Sequence, residues 1–155
     1  MQLGMIGLGR MGANLVRRLM RAGHECVVFD VAPEAISALA AEGAVPAASL
    51  AELVEKLDGP RNIWVMVPAG YVQGTVDQLA ALLQPDDAII DGGNSYYRDD
   101  LTRAAQLRPR GIHYVDVGTS GGVWGLNRGY CLMIGGEDAV VERLDPIWAT
   151  IAPGA

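Results

Sequence analysis

Lysine is nearly missing from this chain: Lys56 stands alone beside eleven arginines. Cysteine and histidine are just as scarce, with two of each. Cys26 and Cys131 lie inside apolar, strand-like runs, so both read as small buried hydrophobes of a reducing cytoplasm rather than a disulfide or a metal pair. No cluster of Cys and His has metal-ligand spacing, so no metal site is expected. His24 follows Gly23 at a helix end, and His113 opens a strand with no Ser or Cys nucleophile motif to serve. No apolar run approaches the ~20 residues of a membrane span. Basic charge is not in excess either: the formal net charge is -6, which argues against a nucleic-acid partner. Arg17, Arg18, Arg98, Arg103, Arg108 and Arg110 read as solvated helix faces and loop ends. The start, "MQLGMIG", has no charged n-region and runs straight into an apolar segment, so no signal peptide is expected and the location is expected to be cytoplasmic.

What is present is a globular composition. Half of the residues are hydrophobic and 19% are charged, and 155 residues are enough for one domain with a real core. Short apolar runs recur at 3–7, 26–30, 62–67, 88–91, 113–117 and 130–135. Between them the period is helical. Met11, Leu15, Leu19 and Met20 share one face, with Gly23 as a stop. Pro33 opens a second helix, and Ser49 with Glu52 forms a capping box for a third. Further helices are expected at 71–83, 97–107 and 137–149. Trp64, Trp148, Trp124, Tyr96 and Tyr97 are read as packing residues. Continuous apolar strands alternating with helices predict an α/β fold of the doubly wound, Rossmann type, with a mostly parallel sheet covered on both faces. No linker or repeat divides the chain.

The first turn reads "IGLGRMGANL", a G-x-G-x-x-G at Gly7, Gly9 and Gly12 that follows a strand and opens a helix. In that context Gly7 allows a tight turn, Gly9 lets a pyrophosphate approach the backbone, and Gly12 lets helix and strand pack closely. The free N–H groups of the helix start would hold the phosphates, over the stretch Gly7, Leu8, Gly9, Arg10, Met11 and Gly12. Asp30 ends the second strand about 20 residues beyond the fingerprint, where a carboxylate accepts the adenosine ribose hydroxyls and repels a 2′-phosphate. No basic residue follows it in "DVAPEA". The cofactor expected is NAD in preference to NADP.

Three further stretches stand at or near strand ends. In "VMVPAG", Pro68 and Gly70 either turn the chain or let a cofactor lie across the sheet edge. In "DGGNSYYRDD", Asn94 is either a ligand-orienting amide or a turn residue after two glycines. Asp91 reads as a turn or cap residue, and Asp99 and Asp100 as an exposed helix start. The stretch "DVGTSGGVWGLNRGYCLMIGG" holds seven glycines, and so much bare backbone implies something approaching closely.

Taken together, "GLGRMGANL", "VMVPAG", "DGGNSYYRD" and the glycine stretch resemble the decarboxylating 6-phosphogluconate dehydrogenases, in order and along the whole chain, and especially the shorter bacterial form. The resemblance implies oxidation of 6-phospho-D-gluconate at C3 with NAD, then loss of CO₂ to give ribulose 5-phosphate. It implies that Val67, Pro68 and Ala69 lie along the cofactor and that Asn94 contacts both cofactor and sugar acid. Ser120, Gly121 and Gly122 would bind the substrate's carboxylate and nearby hydroxyls, the glycines letting the acid reach main-chain N–H groups.

Three departures from that family matter. Where NADP-using members carry an Asn-Arg-Thr type sequence, this chain has Asp30-Val31-Ala32, which supports NAD. Pro68 stands where those members commonly have lysine. Family members also continue into an all-helical domain that supplies a lysine base, a glutamate acid and most of the dimer contact. The expectation is therefore that residues 1–155 form the dinucleotide-binding domain with no catalytic residue of their own, inactive alone, and that the parent is a homo-oligomer through the helical part. Two rivals are another β-hydroxyacid dehydrogenase, which usually carries a D-x-S-T type sequence in place of "DGGNS", and a stand-alone dinucleotide-binding module.

Overall fold

The computed structural model describes residues 1–93, 97–120 and 125–153. Seven strands form one sheet in the order β3-β2-β1-β4-β5-β6-β7. They are β1 (Gln2–Ile6), β2 (Glu25–Phe29), β3 (Val45–Pro46), β4 (Asn62–Val65), β5 (Ala88–Asp91), β6 (His113–Ser120) and β7 (Cys131–Gly135). The first six are parallel and β7 is antiparallel to β6. Strand order reverses between β1 and β4, which opens a crevice beyond their carboxyl ends, the place where doubly wound sheets bind ligands.

Helices cover both faces, as the unbroken apolar strands require. On one face Leu3, Met5, Trp64 and Ile90 pack with Leu15 and Leu19 of α1 (Arg10–Arg21) and Ile147 and Ile151 of α8 (Asp145–Ile151). On the other, Ile6, Ile63, Val65 and Ile89 pack with Leu53 of α3 (Leu50–Lys56), Val72, Val76 and Leu79 of α4 (Ala69–Leu82) and Leu107 of α5 (Tyr97–Leu107). Successive strand residues therefore enter opposite cores. Trp64 and Trp148 meet edge to face with centroids 5.7 Å apart, so both act as packing residues.

Local signals worked where the chemistry is local. Gly23 has φ +90° and ends α1, with Gly23 N–H donating to Met20 and His24 N–H to Leu19. Ser49 accepts from Glu52 N–H at 3.1 Å, and the Glu52 carboxylate reaches back to Ala48 N–H at 3.2 Å. α2 (Pro33–Ala41) starts on its proline.

Several expectations are corrected. The two-residue strand β3 carries too short an apolar run to be noticed. The single helix expected over 137–149 is two, α7 (Asp138–Arg143) and α8, joined at Leu144 just ahead of Pro146, where the missing proline N–H breaks the ladder. A short α6 (Gly125–Arg128) was not foreseen. Cys26 is buried, and burial pushes its thiol up to about 12. Cys131, however, is exposed, because it lies on the sheet's outermost strand with its side chain on the same side as exposed Met133. Arg103 is 5% exposed rather than solvated. Arg18 is half-buried and donates to the carbonyls of Thr150, Leu126 and Ala152 at 2.6, 3.2 and 3.0 Å, tying α1 to the ends of α6 and α8. Tyr96, Trp124 and the side chain of Tyr97 lie outside the described residues.

Candidate dinucleotide site

The site begins where β1 ends. Gly7 has φ +95°, and a Cβ there would collide with the Met66 carbonyl; a side chain is excluded both by conformation and by space. A Cβ on Gly12 would collide with the Gly7 carbonyl oxygen, so Gly12 sets the close approach of α1 to the turn. Gly9 differs: a Cβ there would have nothing within 4 Å. Its missing side chain leaves open space above the helix start, which is the room an incoming group needs. α1 is N-capped by Gly9 with no side-chain cap and no acidic residue in its first turn. Geometry leaves the N–H groups of Arg10, Met11 and Gly12 without intrahelical acceptors, and the helix dipole adds partial positive charge. The cradle fits a pyrophosphate.

Asp30 lies just past β2, half-buried. Its Oδ2 accepts from Leu8 N–H at 2.6 Å and its Oδ1 from Ala32 N–H at 2.8 Å. The carboxylate thus holds the glycine turn as well as facing the edge, a second task that motif spacing does not reveal. A carboxylate has about four acceptor directions, so two remain for ribose hydroxyls. Val31 beside it is 91% exposed.

β4 is followed by Met66, half-buried Val67 and exposed Pro68, the N-cap of α4, whose first residue, Ala69, is exposed too. A Cβ on Gly7 would stand 3.2 Å from Val67 Cγ1, and one on Gly93 would stand 3.1 Å from the Val67 carbonyl oxygen. Gly7, Val67 and Gly93 therefore form one continuous edge across β1, β4 and β5. Met11 joins it from α1, with its sulfur 3.1 Å from Thr119 Oγ1 of β6. Ser120 ends β6, exposed, opposite Cys131. Asn94, Gly121 and Gly122 lie outside the described residues.

The glycine stretch has a partly different explanation from the expected one. A Cβ on Gly125 would enter the Tyr130 ring, one on Gly129 would lie 2.5 Å from Pro153, and one on Gly135 would lie 2.6 Å from an Asp116 oxygen. These three are small because their own chain packs against them.

Beneath the edge lies a buried polar cluster that sequence reading missed. Asp91 is 1% exposed, and besides accepting Gly93 N–H at 2.9 Å as a turn residue it accepts from the Tyr114 hydroxyl and from Arg103, 3.5 Å away. Arg103 also donates to Gln73 of α4 at 2.9 Å. Asp100 was expected at an exposed helix start; instead its Oδ1 lies 3.0 Å from the Tyr114 hydroxyl and 3.6 Å from Arg103. Burial pushes the Asp100 carboxyl up to about 6, with the Asp91 and Asp116 charges adding to this and Tyr114 and Arg103 opposing it. Burial likewise raises Asp116 and, helped by the Asp91 hydrogen bond, the Tyr114 phenol. The one signal in the sequence was the three-residue step from Asp100 to Arg103, which puts both on one helix face; the register of Asp91 with Asp116 is set only by the sheet.

Fold, strand-order reversal and uncapped glycine turn define a dinucleotide-binding domain of the oxidoreductase type. Comparison with known proteins narrows this. Residues 2–154 match the family described as the NAD binding domain of 6-phosphogluconate dehydrogenase, and the chain belongs to that family. It is 46% identical over 155 residues to an NAD(+)-dependent, decarboxylating 6-phosphogluconate dehydrogenase of Haloferax volcanii, covering 99% of this chain and 51% of that protein. It is 37% identical to one of the same description from Bacillus subtilis, covering 97% and 33%. Among solved structures, Plasmodium falciparum 6-phosphogluconate dehydrogenase, determined with its cofactor NADP+ and with 6-phosphogluconate, matches with a TM-score of 0.90 at 25% identity, covering all of this chain and 35% of that one. Mycobacterium tuberculosis 3-hydroxyisobutyrate dehydrogenase matches with a TM-score of 0.88 at 29% identity, covering 97% and 52%. The chain thus spans about half the length of the Haloferax and Mycobacterium proteins and about a third of the Bacillus and Plasmodium ones.

Proposed function

We propose that residues 1–155 are the dinucleotide-binding domain of a cytoplasmic, homo-oligomeric oxidoreductase that oxidises and decarboxylates 6-phospho-D-gluconate to ribulose 5-phosphate, using NAD in preference to NADP. The observation that carries this is the open space at Gly9 over an uncapped helix start, beside a carboxylate, Asp30, at the end of the next strand. In this reading Gly7 and Leu8 shape the turn, their own N–H groups held by the Phe29 carbonyl and the Asp30 carboxylate, and the N–H groups of Arg10, Met11 and Gly12, above the open space at Gly9, hold the pyrophosphate. Asp30 accepts the adenosine ribose hydroxyls, and its charge with neutral, exposed Val31 beside it disfavours a 2′-phosphate. Val67, Pro68 and Ala69 flank the cofactor, and Asn94 orients it against the sugar acid. Ser120, Gly121 and Gly122 bind the acid's carboxylate and hydroxyls. When bound, the nicotinamide supplies the two-electron acceptor. No residue of 1–155 is assigned as base or acid: Lys56 lies in α3, its ammonium donating to the Pro46 carbonyl at 2.6 Å and paired with Glu52 at 2.7 Å.

A second reading, a domain of another β-hydroxyacid dehydrogenase, draws on the likeness to 3-hydroxyisobutyrate dehydrogenase. The "DGGNS" sequence at 91–95 favours the first.

The test is to titrate the purified chain with NAD and with NADP, then add 6-phosphogluconate and follow NADH absorbance and CO₂. Tighter binding of NAD without turnover is expected. Tighter binding of NADP would overturn the cofactor assignment, and sustained NADH with CO₂ would place the base inside these residues.

A further inference from the structure

The Tyr114 hydroxyl touches two carboxylates but owns one hydrogen. It donates that hydrogen to Asp91, which leaves its 3.0 Å contact with Asp100 Oδ1 short of a proton. A hydrogen bond can be made there only if Asp100 brings one, as a carboxylic acid donating to the phenolic oxygen. We propose that Asp100, Tyr114, Asp91 and Arg103 are positioning residues of the cofactor site, in which one proton on Asp100 sets how firmly Asp91 holds the Gly92–Gly93 turn. This rests on the dinucleotide-binding reading given above.

The path from proton to site is short. Asp91 Oδ1 holds Gly93 N–H at 2.9 Å, and Gly93 packs on the Val67 carbonyl at the edge proposed to flank the cofactor. Asn94 follows Gly93 directly in the chain. The groups facing Asp100 come from three elements: Arg103 on α5, Asp91 on β5, and Tyr114 and Asp116 on β6. Among the described residues α4 adds the neutral amide of Gln73, through Arg103. With Asp100 ionised, Asp91 and Asp100 both face Arg103 with the Asp116 charge nearby, and Asp100 competes with Asp91 for both Arg103 and the tyrosine hydrogen. The carboxyl value of about 6 puts that competition near neutral pH. The phenol itself is raised and stays protonated throughout.

The experiment measures NAD affinity of the 155-residue chain between pH 5 and 8.5, alongside its thermal midpoint, for the unmodified chain, Tyr114→Phe and Asp100→Asn. Affinity of the unmodified chain should weaken as pH rises through about 6. Tyr114→Phe should bind NAD roughly three- to tenfold more weakly at low pH, the scale of one lost hydrogen bond, and should lose the inflection. Asp100→Asn keeps a donor and no charge, so it should hold the low-pH affinity across the whole range. A cluster that only stabilises the fold would lower the midpoint while leaving NAD affinity and its pH profile unchanged in both variants, and that result would overturn the inference. Failure of the unmodified chain to bind NAD at any pH would instead sink the dinucleotide-binding reading, and this inference with it.

Discussion

The carboxylate of Asp30 accepts the backbone N–H of Leu8 at 2.6 Å, so the residue just past β2 pins the glycine turn that follows β1. A side chain expected to serve a ligand also serves the fold. Replacing it therefore has two effects that can be separated. Asp30→Ala should lower stability by about 1–2 kcal/mol, the cost of leaving Leu8 N–H without its acceptor, and should weaken NAD binding as well. Asp30→Asn with Val31→Arg keeps an acceptor oxygen and adds a cation, so stability should change less while the preference for NAD over NADP narrows. Paired NAD and NADP titrations with urea denaturation read both effects. Unchanged discrimination in the double variant would show that Asp30 does not set cofactor choice.

The glycines of the first turn should also separate. Gly12→Ala forces a methyl into the Gly7 carbonyl and should cost about 1–3 kcal/mol of stability, as overpacking does. Gly9→Ala meets nothing and should cost under about 1 kcal/mol, the scale of an N-cap change. Its NAD affinity should nonetheless fall roughly tenfold or more, because the methyl occupies the room left for the pyrophosphate. Equal NAD binding by Gly9→Ala and the unmodified chain would remove the pyrophosphate from this turn.

Arg18 makes the opposite prediction. Its guanidinium serves three carbonyls at the ends of α6 and α8, far along α1 from the cradle. Arg18→Met keeps the aliphatic stem and strands those acceptors, for about 2–3 kcal/mol and roughly 5–10 °C in thermal midpoint. NAD affinity measured well below that midpoint should stay within about twofold.

Alkaline stability should report Cys26. Its folded thiol is raised to about 12 from an ordinary 9.0 by burial, so between those values the unfolded chain releases a proton that the folded chain keeps. Stability from this source is full below pH 9 and falls as pH rises, at up to about 1.4 kcal/mol per unit. Tyr114, also raised, adds loss of the same sign from about pH 10. Urea midpoints at pH 8.5, 9.5 and 10.5 should fall less steeply for Cys26→Ala than for the unmodified chain, whatever the starting offset from the lost thiol. Parallel slopes would mean that the thiol is not the group responsible.

What could be read without coordinates follows from short-range physics. A glycine that must turn, a serine that must cap and an apolar run that must be buried on both sides carry their reasons within a few residues of themselves. The alternation of such runs with helical periods was enough for the sheet, the two-sided core, the fingerprint at Gly7, Gly9 and Gly12, and Asp30 at its edge. Burial of polar groups was a different matter, because it depends on which strands become neighbours. β5 and β6 bring Asp91 and Asp116 into register, and α5 lays Asp100 and Arg103 beside Asp91 and Tyr114; nothing within one segment announces that three charged groups will meet at a single phenol. Cys131 is exposed because its strand is last in the sheet, and Arg18 is half-buried because two helix ends from more than 100 residues away need its hydrogens. The amino-acid sequence alone determined most of the elements, their order and the glycine turn after β1, whose causes are local. Tertiary structure decided which charges face one another out of water, since that is a property of contacts between distant segments and is settled only when the sheet closes over them.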